Sequence, residues 1–77
     1  MSMHVQLKLF ASLGHLTPPN ADRFPVSAGK TVRDLLDTLH VPLDEVQLVF
    51  INGVKQDMTT TLKPGDRVGI FPPIGGG

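Results

Sequence analysis

No cysteine occurs among the 77 residues, so no disulfide framework holds this chain. Three histidines without thiolate companions leave little from which to build a metal site, and none is expected. Stability has to come from packing. No charge of either sign is in excess, since seven Lys and Arg meet seven Asp and Glu. That balance removes the electrostatic case for nucleic acid or an anionic membrane as a partner. Long apolar runs are missing too. The longest, Leu48-Val49-Phe50-Ile51, falls far short of a membrane span, and Met1-Ser2-Met3-His4 lacks the basic and extended apolar regions of a secretory signal. These absences point to a soluble, cytoplasmic protein. A chain this short buries only about 60% of its unfolded surface, which allows one modest core and a single domain over residues 1–77.

What is present is a set of clear periods. His4 to Phe10 alternates, with Val5, Leu7 and Leu9 on one side and His4, Gln6, Lys8 and Phe10 on the other, the pattern of a half-buried strand. Ala11 to Asp22 holds Gly14, Pro18, Pro19 and Asn20 without a sustained period and reads as a loop. A second strand is expected near Arg23 to Ser27, where Pro25 favours an edge. Thr31 with Asp34 three residues later forms a capping-box variant. Val32, Leu35, Leu36 and Leu39 then make one apolar helix stripe opposed by Arg33, Asp37, Thr38 and His40. His40-Val41-Pro42 is expected to stop the helix, because a residue before proline is pushed away from helical angles. Leu43 to Val46 fits a short turn. Gln47 to Ile51 reads as a strand leading into the hairpin dipeptide Asn52-Gly53, with a return strand at Val54 to Gln56. Leu62-Lys63-Pro64-Gly65-Asp66 has turn chemistry, and Arg67 to Phe71 is the last strand. One helix with one apolar stripe has only the sheet to lie on, which gives an α+β sandwich with Val5, Leu7, Leu9, Val68 and Ile70 on the sheet side of the core.

No residues converge on catalysis. His4, His15 and His40 are scattered, and Asp44-Glu45 reads as a solvated turn. The chain is therefore not expected to be an enzyme on its own. The ending Phe71-Pro72-Pro73-Ile74-Gly75-Gly76-Gly77 is different. Glycines without a Cβ can pass through a channel too narrow for side chains, and Pro72-Pro73 stiffens the stem before them. Six residues at full extension reach roughly 20 Å, enough to place a carboxylate in another protein's pocket. A frayed terminus or a linker would also be rich in glycine. Alternation puts Phe10 and Phe71 opposite the buried residues of their strands. They are candidates for a docking surface, although ordinary packing fits the same pattern. Val49 and Ile51 fit either that surface or the core, since a strand buried on both faces looks the same.

Taken together, Leu7-Lys8-Leu9-Phe10-Ala11, Thr31-Val32-Arg33-Asp34-Leu35-Leu36, Ile51-Asn52-Gly53, Leu62-Lys63-Pro64-Gly65-Asp66 and the Phe71–Gly77 ending resemble the MoaD/ThiS family of ubiquitin-like sulfur carriers over nearly the whole chain. The resemblance implies a β-grasp fold, one main helix on a mixed sheet of four to five strands, with a flexible tail over residues 72–77. It implies that Gly77 is adenylated by a ubiquitin-activating-like enzyme using ATP and then becomes a thiocarboxylate. Gly75 and Gly76 complete the slender tail, while Phe10, Phe71, Pro72, Pro73 and Ile74 meet partners. No cofactor is expected to bind this chain itself. Phe71-Pro72-Pro73 and the loop after the first strand resemble the small subunit of molybdopterin synthase, whose large subunit becomes an expected partner. Gly75 and the triple-glycine ending also fit thiamine-pathway carriers, with thiazole synthase as the alternative partner. A ubiquitin-like protein modifier is the further alternative.

Overall fold

Alternation in the first residues produces the strand its period requires. In the structure, a computed structural model that describes residues 2–73, β1 runs over Ser2–Leu9. Val5, Leu7 and Leu9 are buried, whereas His4, Gln6 and Lys8 are exposed. The other strands are β2 at Phe24–Ser27, β3 at Leu48–Ile51, β4 at Val54–Lys55 and β5 at Arg67–Phe71. They form one mixed sheet in the order β2-β1-β5-β3-β4. The first and last strands pair in parallel at its centre, Leu7 beside Val68 and Leu9 beside Ile70. β2 is an edge strand in which Pro25 stands opposite His4, a place where a missing N–H is tolerated.

Helix α1, Val32–Thr38, lays its stripe on the inner face of this sheet, burying Val32, Leu35 and Leu36, with Leu39 buried just beyond its end. Its start has a donor-by-donor explanation. The Val32 and Arg33 N–H groups donate to the Thr60 and Met58 carbonyls at 3.0 and 2.8 Å. The third, Asp34 N–H, donates to Thr31 Oγ1 at 3.3 Å, while Asp34 Oδ2 accepts from the Thr31 N–H at 3.0 Å. The capping box is therefore closed, and the exposed N–H groups of the first turn have partners. Thr31 also forms an isolated bridge with Thr61, tying this end of α1 to the chain before β5.

The helix ends earlier than the His40-Val41-Pro42 reading expects. His40 adopts left-handed geometry at φ 59. Its N–H donates to the Asp37 carbonyl and that of Val41 to the Leu36 carbonyl. This is a Schellman closure with histidine in the place glycine usually takes. The reversal at His40 stops the helix before the proline acts, and it delivers Val41 into the core.

A second difference lies between β1 and β2. The expected loop contains 3-10 helices at Ala11–Leu16 and Ala21–Arg23. Each is too short to leave a period in the sequence. Ala11 turns the chain at φ 51, and two residues later Leu13 is 1% exposed, as deep as any core leucine.

Two outcomes follow. Leu13→Ala should lose about 2–5 kcal/mol of unfolding free energy in urea titrations, while Leu43→Ala, at a side chain 37% exposed, should stay within about 1 kcal/mol. The Thr31 backbone and hydroxyl hydrogen bonds, helped by Lys30 and Arg33, hold the Asp34 carboxyl below its ordinary value. A group lowered in the folded state stabilises fully above its unfolded pKa, and that contribution fades as pH falls through the folded one. Asp34→Asn should accordingly be less stable at neutral pH and lose less on acidification below about pH 4, read from thermal midpoints across pH.

Candidate functional site

On the outer face of the sheet, alternation leaves apolar side chains that the core cannot use. Phe10 follows β1 directly, and its N–H donates to the Ile70 carbonyl at 3.0 Å, which continues the parallel ladder one residue past the strand. That bond sets Phe10 beside Phe71. The two rings stack with centroids 4.1 Å apart and 5° between their planes. Phe50 meets Phe71 edge-on at 5.4 Å and 80°. Gly69 lies beneath them, where a Cβ would meet both rings at ordinary contact distance, 3.4 Å from Phe10 Cε2 and 3.5 Å from Phe71 Cε1. The result is an open groove of about 490 Å³ whose walls include Gln6, Lys8, Phe10, Phe50, Arg67 and Phe71. Phe10 remains 36% exposed.

Both candidate phenylalanines are thus brought together on one surface. The structure also decides the alternative that β3 leaves open in the sequence. Val49 and Ile51 belong to the core, 4% and 7% exposed, and the outer-face positions of β3 go to Leu48 and Phe50. Phe50 is hidden in the sequence because β3 is apolar on both sides, so its own period does not say which set faces outward. Its pairing with Gly69, next to Phe71, decides the question.

The opposite end of the groove is pinned by a polar clip. Asp66 is buried at 7% exposure; its Oδ1 accepts from Asn52 Nδ2 at 3.0 Å and its Oδ2 from the Lys63 N–H at 2.9 Å. Asn52 Oδ1 accepts in turn from the Arg67 N–H at 3.0 Å. Asn52 and Gly53 hold φ 54 and 82, the angles of a two-residue type I′ hairpin turn. One asparagine therefore joins the β3–β4 turn to the start of β5, and a buried carboxylate closes the Lys63–Asp66 turn. In the sequence these are two separate turns. Only their folding onto each other makes the clip.

Along β5 the chain leaves beside the aromatic pair. The Phe71 carbonyl accepts from the Gln47 N–H at 2.8 Å. Pro72 is buried and Pro73 exposed, so of the two prolines Pro73 is the one facing solvent. Ile74, Gly75, Gly76 and Gly77 lie outside the described residues. Among the described residues no cluster of three or more His, Cys, Asp or Glu could hold a metal ion. No helix there is long and apolar enough to cross a membrane. His4 stands on the outer face, His15 bonds the Ser12 carbonyl at 2.7 Å, and His40 caps α1, so the three share no site.

Truncating either stacked ring should show their mutual dependence. In a double-mutant cycle of Phe10→Ala and Phe71→Ala, urea unfolding should give a coupling energy of about 0.5–1.5 kcal/mol. The same cycle between Phe10 and Leu43 should give none within error.

Comparison with known proteins agrees with this geometry. The model of the ThiS family matches residues 7–77. No curated protein sequence matches the chain. Among solved structures, the HVO 2177 protein of Haloferax volcanii aligns at TM-score 0.78 with 26% identity, covering 99% of this chain and 88% of that one. The small archaeal modifier protein 1 of H. volcanii aligns at 0.69 and 26%, over 94% and 99%. A Pyrococcus furiosus protein described as molybdopterin converting factor, subunit 1, aligns at 0.65 and 27%, again over 94% and 99%. The architecture is the ubiquitin-like β-grasp that the sequence leads one to expect. With a stacked aromatic face, a strand that ends beside it, and a family match running to the last glycine, the chain belongs to the ThiS family of ubiquitin-like sulfur carriers.

Proposed function

We propose that this chain carries sulfur on its C-terminal carboxylate, as the small subunit of a molybdopterin synthase. A ubiquitin-activating-like enzyme transfers AMP from ATP to the Gly77 carboxylate with release of pyrophosphate. A carboxylate oxygen is a poor leaving group until this happens. A sulfur nucleophile then attacks the activated carbonyl carbon, AMP departs, and the resulting thiocarboxylate delivers its sulfur to the precursor of the molybdenum or tungsten cofactor. The partner supplies ATP and the catalytic groups. This chain supplies reach through Ile74 and the three glycines, and recognition through Phe10, Phe71 and Phe50, with Pro73 at the root of the stem.

The observation that carries the reading is the position of the aromatic groove. It lies beside Phe71, where β5 ends, so a partner that grips the rings is positioned to receive the six residues that follow. The likeness to molybdopterin converting factor subunit 1 supports the molybdopterin branch. Thiamine thiazole synthesis, with thiazole synthase as partner, is the second reading, supported by the name of the matching family. The likeness to small archaeal modifier protein 1 supports a third, in which the tail is joined to lysines of other proteins.

Incubation with the adenylating enzyme, ATP and a sulfur donor should change the intact mass by one oxygen-to-sulfur exchange, located at Gly77 by fragmentation. Deleting Gly77 should abolish it. Sulfur passed to a molybdopterin precursor in the presence of the large subunit supports the first branch, and sulfur passed only to thiazole synthase supports the second. Isopeptide-linked conjugates without free thiocarboxylate would replace both.

A further inference from the structure

The formal neutrality of the chain hides an uneven arrangement of its charges. Lys8 and Arg67 line the aromatic groove, and Lys55 stands opposite Phe50 in the β3–β4 pair, which puts it on the same face. No Asp or Glu lines the groove. The seven acids are elsewhere. Asp34 and Asp37 sit on α1, Asp44 and Glu45 in the 3-10 turn after it, Asp22 in the 3-10 turn before β2, and Asp57 beyond β4. Asp66 spends its carboxylate inside the clip. The sheet face therefore presents three cations around an apolar centre, and the remaining acids are carried by α1 and the loops.

We propose that this face docks an acidic protein surface, in which an apolar knob fills the aromatic groove and surrounding carboxylates meet Lys8, Lys55 and Arg67. The inference rests on the carrier reading and states the chemistry of the adenylating partner's docking surface. Cations at the rim act mostly on encounter and orientation, while the desolvated rings supply the grip. A single-stranded nucleic acid fits less well. Phe10 and Phe71 cover each other's faces, and Phe71 also takes the Phe50 contact, so the rings are not the row of open platforms on which successive bases stack.

The test uses the full chain as substrate in ATP–pyrophosphate exchange by the purified adenylating enzyme of the same cell. Lys8→Glu combined with Arg67→Glu should raise KM for the carrier about tenfold or more at low salt, with kcat little changed. The increase should shrink as salt is added. Asp37→Lys on α1 combined with Asp44→Lys in the turn after it, neither of which lines the groove, should leave KM unchanged. Thermal midpoints of all variants show whether folding is intact. A KM indifferent to the sheet-face reversal, or equally raised by the control pair, overturns the surface assignment while leaving the carrier reading in place. Binding of a single-stranded oligothymidylate, or self-association in light scattering, that is lost in the sheet-face variant overturns it in favour of that occupant. If the wild-type chain supports no exchange, the carrier reading falls and takes the assigned partner with it.

Discussion

Parallel pairing of β1 with β5 is the constraint from which the rest of this molecule follows. The two strands come from opposite ends of the sequence, and they meet at the centre of the sheet with Leu7 beside Val68 and Leu9 beside Ile70. One register decides both faces at once. Inward, it gives α1 its floor of Val5, Leu7, Leu9, Val68 and Ile70. Outward, it sets Phe10 against Phe71. A slip of either strand by one residue would turn it over, burying Lys8 or Arg67 and exposing the apolar residues beside it. Core and docking face are two readings of the same pairing.

The polar features secure that register. The Gln6 and Phe10 N–H groups donate to the Asp66 and Ile70 carbonyls at the two ends of the parallel pair. The clip of Asn52, Lys63, Asp66 and Arg67 then fixes where β5 begins relative to the β3–β4 turn. Burial of a carboxylate without donors would cost several kcal/mol, so Asp66 tolerates only the arrangement that brings Asn52 and the Lys63 amide to it. The position of Phe71 and of the chain leaving it is thus set from the far end of the strand.

Much of this was legible in the residues. β1, β5 and the α1 stripe have strong periods, Thr31 and Asp34 announce the helix start, and Asn52-Gly53 announces the hairpin. What the sequence hid has physical reasons. Leu13 lies in a 3-10 turn with no period to show that it is core. His40 occupies a left-handed cap where the sequence offers no glycine to mark it. Phe50 escaped because a strand apolar on both faces does not say which side is outward. The Asn52–Asp66 clip joins residues fourteen positions apart, and no local pattern reports such a contact. Phe10 and Phe71, in contrast, could be placed on one face from alternation alone, and their stacking needed only the register.

These features also explain how so small a protein can present apolar rings to solvent and keep its fold. The rings shield one another, and the cations around them favour solvent or a charged partner. Amide hydrogen exchange tests the central pairing most directly. If the β1–β5 ladder holds the structure together, the Phe10 amide and those between β1 and β5 should exchange only through global unfolding, more slowly than amides of the edge strands β2 and β4. Exchange of the central ladder ahead of the edges, with α1 still protected, would contradict the account.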